Sequence, residues 1–311
     1  MTVHDGNGWT RCGRGHRHWG RHGAAGLLLA TTDQAGRHSV LLQQRSWWGS
    51  YGGSWGPPGG ARDSHESVVR AALREAIEEC AIDPRPVRVH AVLSDDHGGW
   101  TYQTVLANTA VPLAATAVSE ETSEVAWVPV ADVERLPLHP GFAGQWPALR
   151  TALTPLTIVV DAANVVGSRP DGWWRDRAGA ARRLIEEISG LAMTGIVSIP
   201  ESVEVPALER WFPRFVVVLE GAAARSEGLP GAAGDSAPGP DGAAGAGRSE
   251  ASPQSQVQVV RARGSGDDEI VRQAAQAGGP CLVVTADREL RARCEAVGAA
   301  VTGPRWLLDL L

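Results

Sequence analysis

The chain has 311 residues, 43% of them hydrophobic, which is enough for two cores. Its 29 basic side chains against 35 acidic ones leave a formal charge of −6, which excludes a protein that holds nucleic acid by bulk positive charge. The four cysteines, at 12, 80, 281 and 294, are scattered, and no apolar run reaches the length of a membrane span, so a reducing cytoplasm and no membrane partner are expected.

Near the start, Cys12, His16, His18 and His22 form a loose group. A zinc knuckle would need paired ligands at established spacings, and no Cys-x-x-Cys partner occurs elsewhere. The reading is therefore a histidine-rich loop or a substrate-contact strand. Gly23 to Leu29 and Ser39 to Gln44 read as strands, followed by an aromatic, glycine-rich loop from Trp47 to Gly60. Trp47, Trp48, Tyr51 and Trp55 in that loop suit either stacking on a nucleobase or packing onto the sheet.

Asp63 followed by Glu66 is a capping box, predicting a helix start near Ser64, and Asp83-Pro84 marks its end. Val69, Ala72, Leu73, Ala76 and Cys80 then form one apolar stripe, with Glu75, Glu78 and Glu79 on a separate face. Such like charges at helical spacing repel by several tenths of a kcal/mol (~0.2–0.5) per pair. A divalent cation with oxygen ligands relieves that repulsion, although an isolated glutamate cluster is more often a solvated face.

The whole segment from Gly60 to Ile82, GARDSHESVVRAALREAIEECAI, resembles the Nudix box of the Nudix hydrolases. It departs from that pattern at Ala81, where the family carries glycine. The resemblance implies an α/β/α sandwich with a mixed sheet. It also implies that Glu75, Glu78 and Glu79 bind Mg²⁺ (or Mn²⁺), that Arg74 orients a glutamate, and that Gly59, Gly60 and Trp55 contact substrate. The expected substrate is a nucleoside diphosphate derivative cleaved within its diphosphate. Glu66 is assigned to capping and structure. A left-handed conformation at Ala81 is expected to cost about 1 kcal/mol.

Val87 to Leu93 and Thr101 to Ala107 predict a hairpin around Asp95-Asp96-His97-Gly98-Gly99, and Val125 to Val130 a further strand. Glu120, Glu121 and Glu124 precede Trp127. Family enzymes often take a general base or further metal ligand from this region, and Glu121 is the choice here. A closing helix is expected between Ala131 and Leu153, with the boundary at Thr154-Pro155 dividing a domain of residues 1–153 from one of 154–311.

The second half begins with Leu156 to Val160, an apolar strand ending in Asp161, with Asn164 three residues on. Pro280 to Asp287 repeats the pattern. Phe215 to Leu219 and Val257 to Val260 read as strands, and Gly264 to Ile270 opens a helix. Acidic residues at the carboxyl ends of parallel strands face the crevice where α/β sheets place their sites. These features resemble the PIN-like ribonucleases, especially their NYN branch, and imply an α/β domain with a mainly parallel sheet. By that resemblance Asp161, Asp268 and Asp287 bind Mg²⁺ or Mn²⁺, supported by Asn164, Asp267 and Glu269, with RNA as the partner. Each acidic residue is also a suitable helix cap. The tract from 221 to 254, rich in Gly, Ala, Ser and Pro, is expected to be a flexible insertion.

Two functions follow as expectations. One is a Mg²⁺-dependent pyrophosphohydrolase carrying a metal-dependent ribonuclease domain. The other is a non-catalytic nucleotide sensor regulating the attached domain.

Overall fold

A computed structural model describes residues 4–221 and 256–311. The insertion expected at 221–254 lies, apart from Gly221, outside the described residues. The chain forms two compact units, one of Met1–Thr154 with Val205–Trp211, the other of Pro155–Glu204 with Phe212–Leu311.

In the first unit, a small hairpin of β1 (Trp9–Arg11) and β2 (Arg17–Trp19) precedes the main sheet. The long strands are β3 (Ala24–Thr32), β4 (His38–Arg45), β7 (Arg88–Asp96), β8 (Thr101–Thr109) and β9 (Thr122–Pro129), with short β5 (Trp55–Gly56) and β6 (Gly59–Ala61) between them. β3 is buried from Ala24 to Thr31, which explains its almost unbroken apolar run: it is covered on both faces and paired on both edges. It runs parallel to β8 and antiparallel to β4 and β6, so the sheet is mixed. The expected hairpin exists as the antiparallel β7–β8 pair. A segment from far along the chain, β11 (Arg210–Trp211), adds to the edge at β7, which no local pattern in the sequence announces.

Helix α1 (Val68–Cys80) packs on β3 through buried Ala71, Ala72, Ala76 and Cys80. It begins later than the capping box predicts: Ser67 is the N-cap, its hydroxyl accepting from Arg70 N at 3.3 Å, and Glu66 instead accepts from Asp63 N in the preceding turn, at 3.2 Å. Ala81 closes the helix in the left-handed region, φ 51° and ψ 32°, and its N–H donates to Ile77 O. The closing region contains a 3₁₀ turn (Val130–Arg135) and helix α2 (Pro140–Leu149), with Trp146 and Leu149 in the core.

The second unit is a five-stranded, wholly parallel sheet in the order β13 (Val257–Arg261), β12 (Arg214–Leu219), β10 (Thr157–Asp161), β14 (Cys281–Val284), β15 (Ala300–Thr302). Among the described residues its α-helices are α3 (Ala162–Gly167), α4 (Arg177–Thr194), α5 (Gly266–Ala275), α6 (Arg288–Ala296) and α7 (Pro304–Leu308). β10 is central and buried throughout, and the strand order reverses between β10 and β14, where parallel sheets open a crevice at their carboxyl ends. Among the described residues, no helix is long and apolar enough to cross a membrane.

Candidate functional site

Glu79 is the most enclosed acid of α1. Only 6% of it is exposed, although it lies on a face that the sequence alone would send to solvent. Its Oε2 accepts from Gln43 Nε2 and from Gly59 N, both at 2.8 Å, while Oε1 makes no hydrogen bond among the described residues. Burial, and then the neighbouring Glu75 carboxylate, push its pKa up to about 7. Gln43 is itself fixed, its Oε1 accepting from Thr122 Oγ1 at 2.7 Å. No local pattern points to Gln43, because it reaches Glu79 from a strand 36 positions earlier.

Glu75 is also held above the usual carboxylate range, chiefly by burial. Arg74 opposes that shift with a hydrogen bond from Nη1 to Glu75 Oε1 at 2.7 Å. The same guanidinium joins several groups: Nε and Nη2 grip the two oxygens of Glu66 at 2.8 and 3.0 Å, Nη1 reaches Glu78 at 3.0 Å, and Nη2 bonds Ala61 O. Arg74 thus orients the acidic face, with Glu66 anchoring it from before the helix. Glu78 is the outermost of the three acids, its side chain half exposed.

Gly59 and Gly60 lie on β6, opposite Gly26 and Ala25 of β3. Gly59 supplies the amide that binds Glu79, and Gly60 leaves room for the Glu75 carboxyl group. The three acids offer only carboxylate oxygens here, and the buried Glu79 keeps one oxygen without a hydrogen bond among the described residues. That donor set fits a hard divalent cation held between protein and phosphate.

Trp55 corrects an expectation. It is 7% exposed, packed beneath the loop with its backbone bonded to Pro137 and His139, and so is not open to stack on a base. Trp47, Trp48 and Tyr51 are exposed. Tyr51, at φ 55°, makes an edge contact with His139. Glu121 sits immediately before β9, with its backbone N–H bonded to Ser119 Oγ and its carbonyl accepting from Ser46 N. Its carboxylate is exposed and makes no hydrogen bond among the described residues.

An open hollow of about 610 Å³ elsewhere on the first unit, lined in part by Arg21, Arg62, Gln103 and Glu209, contains none of Glu75, Glu78 or Glu79. It is not where the acidic face lies.

In the second unit, Asp161 ends β10 and is buried; it accepts from Thr285 Oγ1 at 2.8 Å and from Asn164 N at 3.0 Å. Burial raises its pKa, with Glu220 and Asp267 adding to the shift. Asn164 ties the two strand ends together by accepting from Ala286 N at 2.9 Å. Of the expected trio, Asp287 shares Thr285 Oγ1 with Asp161, while Asp268 and Asp287 each also have partners of their own. Asp268 is exposed and paired with Arg293, Asp287 caps α6 by accepting from Leu290 N, and Glu269 pairs with Arg272 on its own helix. The acids that act on Asp161 are Asp267 and Glu220, because the first turn of α5 presents Asp267 inward and Asp268 outward.

Near the N-terminus, His22 leaves the expected histidine group and lies 3.8 Å from Asp5. Its place beside Cys12, His16 and His18 is taken by His97 from the β7–β8 turn.

Comparison with known proteins follows the same division. The family model for the NUDIX domain matches residues 20–150. A Mycobacterium tuberculosis protein described as "Putative 8-oxo-dGTP diphosphatase 3" is 46% identical over 160 residues, covering 50% of this chain and 72% of that protein. A Bifidobacterium longum "Nucleoside triphosphate pyrophosphatase/Nudix hydrolase fusion protein" is 39% identical over 163 residues, covering 50% of this chain and 33% of that one. Among solved structures, a Nudix hydrolase from M. smegmatis, RenU, is 44% identical over 47% of this chain and 93% of its own, with a TM-score of 0.44.

Proposed function

The chain belongs to the Nudix family as a pyrophosphohydrolase, a hydrolase acting on acid anhydrides, and from that premise we propose that its α1 acids serve the cleavage of a nucleoside diphosphate derivative. Glu75, Glu78 and Glu79 would hold the divalent cation, for which we propose Mg²⁺, with Mn²⁺ as its substitute. When bound, that ion polarises the diphosphate and lowers the pKa of an attacking water. The single observation that carries the reading is Glu79: a buried acid, pushed up to about 7, with one oxygen bound twice and the other unbound among the described residues.

The chain's own residues have distinct tasks in this account. Gln43 and Gly59 fix the orientation of Glu79, Arg74 fixes Glu75 and Glu78, and Glu66 fixes Arg74. Gly59 and Gly60 give the phosphates close access to backbone beside those acids. Trp47, Trp48 and Tyr51 are the rings open to a base, in place of Trp55. Glu121 is proposed as the general base, from the position immediately before Thr122, the first residue of β9, which fixes Gln43. The products would be two phosphorylated fragments.

An oxidised purine nucleoside triphosphate is the first candidate substrate, because the M. tuberculosis relative bears that description. The test is a Mg²⁺ screen of such triphosphates alongside dinucleotides and nucleotide sugars, separating nucleotide products chromatographically. Hydrolysis of one class supports the reading. Nucleotide binding with no product from any class would favour the sensor instead.

For the second unit, expected at 154–311 and here Pro155–Glu204 with Phe212–Leu311, we propose a PIN-like, metal-dependent nuclease acting on RNA in the cytoplasm. Its support is Asp161, buried at the carboxyl end of the central parallel strand and raised in pKa beside Glu220 and Asp267. The full chain should cleave single-stranded RNA with Mn²⁺, and Asp161→Asn should abolish that cleavage while sparing nucleotide hydrolysis. Equal RNA cleavage by Asp161→Asn would remove the proposal.

A further inference from the structure

We propose that Cys12, His16, His18 and His97 together bind one structural Zn²⁺, separate from the box glutamates. One ligand atom from each of these residues lies within 4.8 Å of all the others. The four come from the β1–β2 hairpin and the β7–β8 turn, about eighty positions apart in sequence. Tetrahedral zinc takes one thiolate and three imidazoles at about 2.0–2.3 Å, and a set of four protein ligands leaves no open position for a substrate.

The backbone builds this site. At the neck of the β1–β2 hairpin, Cys12 N donates to His16 O at 3.0 Å and Gly15 N to Cys12 O at 2.9 Å, a tight turn that presents Cys12 and His16 to the same side. Gly15 makes the turn possible at φ +82°. The opposing turn is fixed by His97 N donating to Trp100 O at 2.9 Å. The two tips are latched to each other by Gly13 N to Gly98 O at 2.5 Å and by Arg14 Nη2 to Asp96 O at 2.6 Å.

Two of the candidate ligand atoms, His18 Nε2 and His97 Nδ1, are enclosed and have no hydrogen-bond partner among the described residues. His97 Nε2 lies 3.1 Å from Asp95 Oδ2, so Nε2–H donates to the carboxylate, and in that tautomer the Nδ1 lone pair is free for a metal. The His18 ring is held by stacking on Trp100 at 3.9 Å, and Trp100 is fixed by donating from Nε1 to Gly20 O. Cys12 is buried beside Trp100, unpaired with any other cysteine. Two enclosed imidazole nitrogens without partners would each forfeit solvation, and a cation between them restores it.

The role assigned to the ion is to clamp the N-terminal hairpin onto the β7–β8 turn. A mixed nitrogen and sulfur set with no open position and no redox demand suits zinc better than magnesium, which takes oxygens.

The test uses the full chain carrying Glu78→Gln and Glu79→Gln, so that the acidic face does not contribute metal. Purified from zinc-supplemented culture and dialysed, it should retain one zinc per chain by elemental analysis. Replacement with Co²⁺ should give the visible absorption of a tetrahedral ion and a thiolate charge-transfer band. Cys12→Ser should lose that band, and His97→Ala should lose the retained zinc. His22→Ala should behave as its parent. Should Cys12→Ser or His97→Ala fail to fold, the Co²⁺ spectrum of the folded parent still decides. A folded parent that retains no zinc and gives no charge-transfer band would overturn the proposal, as would a band unchanged in folded Cys12→Ser.

Discussion

Gly60 faces Glu75 so closely that a Cβ in place of its hydrogen would stand 2.7 Å from the carboxyl carbon and from both carboxyl oxygens. The glycine, within β6, therefore makes room for an acid of α1. Gly60→Ala is expected to push the Glu75 carboxyl group off its position and lower kcat by about tenfold or more, since misplacement of a metal-ligating group is felt directly in turnover. Steady-state kinetics on the substrate from the screen checks this, and unchanged kcat in a folded variant would separate Gly60 from the chemistry.

Glu79 ties function to instability. Its folded pKa of about 7 stands above its ordinary value of 4.5, so the folded state holds more protons than the unfolded state between those values. Stability is therefore fully present below about pH 4.5 and is lost as pH rises through about 7, by on the order of 3 kcal/mol in the metal-free protein. Glu79→Gln removes the charge and keeps an acceptor for Gln43 and Gly59. At pH 8 with chelator it should melt higher than the parent, and with Mg²⁺ it should turn over at least about a hundredfold more slowly. Thermal melts from pH 4.5 to 8 read the first part and kinetics the second.

Ala81 carries a strain that its family's glycine avoids. With φ at 51°, its Cβ crowds the following carbonyl, so Ala81→Gly should stabilise the protein by about 1 kcal/mol despite the added freedom of the unfolded chain. Activity should not change. Urea unfolding gives the answer, and a destabilised glycine variant would show that the helix end is held by something else.

Glu66 acts at one remove, by gripping Arg74 at 2.8 and 3.0 Å. Glu66→Gln weakens that double contact and frees Arg74 to wander from Glu75 and Glu78. The expected result is a Mg²⁺ requirement raised by about tenfold, with kcat recovering at saturating metal. A loss of kcat that saturating Mg²⁺ does not rescue would assign Glu66 a different task.

The sequence showed the acidic face clearly because helical periodicity and the spacing of Gly60, Arg74, Glu75, Glu78 and Glu79 are local properties. It did not show which acid would be buried, since that depends on Gln43 and Gly59, which arrive through the sheet. Trp55 had two open readings, and only the packing of the loop against residues 137 to 139 decided between them. The parallel sheet of the second unit was legible from apolar strands that end in acids. The choice of Asp267 over Asp268 was not, because a one-residue step turns a helix by about 100° and only the docked orientation of α5 fixes which side faces in. His97 escaped notice for a related reason: a ligand that meets Cys12 across two turns leaves no spacing to find.

The most direct test of the central claim is turnover of parent, Glu78→Gln and Glu79→Gln in ¹⁸O-labelled water with Mg²⁺, using the nucleoside diphosphate derivative identified by the screen and reading label in the phosphorylated products. The account predicts one labelled product per cleavage in the parent and rates at least about a hundredfold lower in both variants, with folds intact by circular dichroism. Parental rates in either folded variant would contradict it.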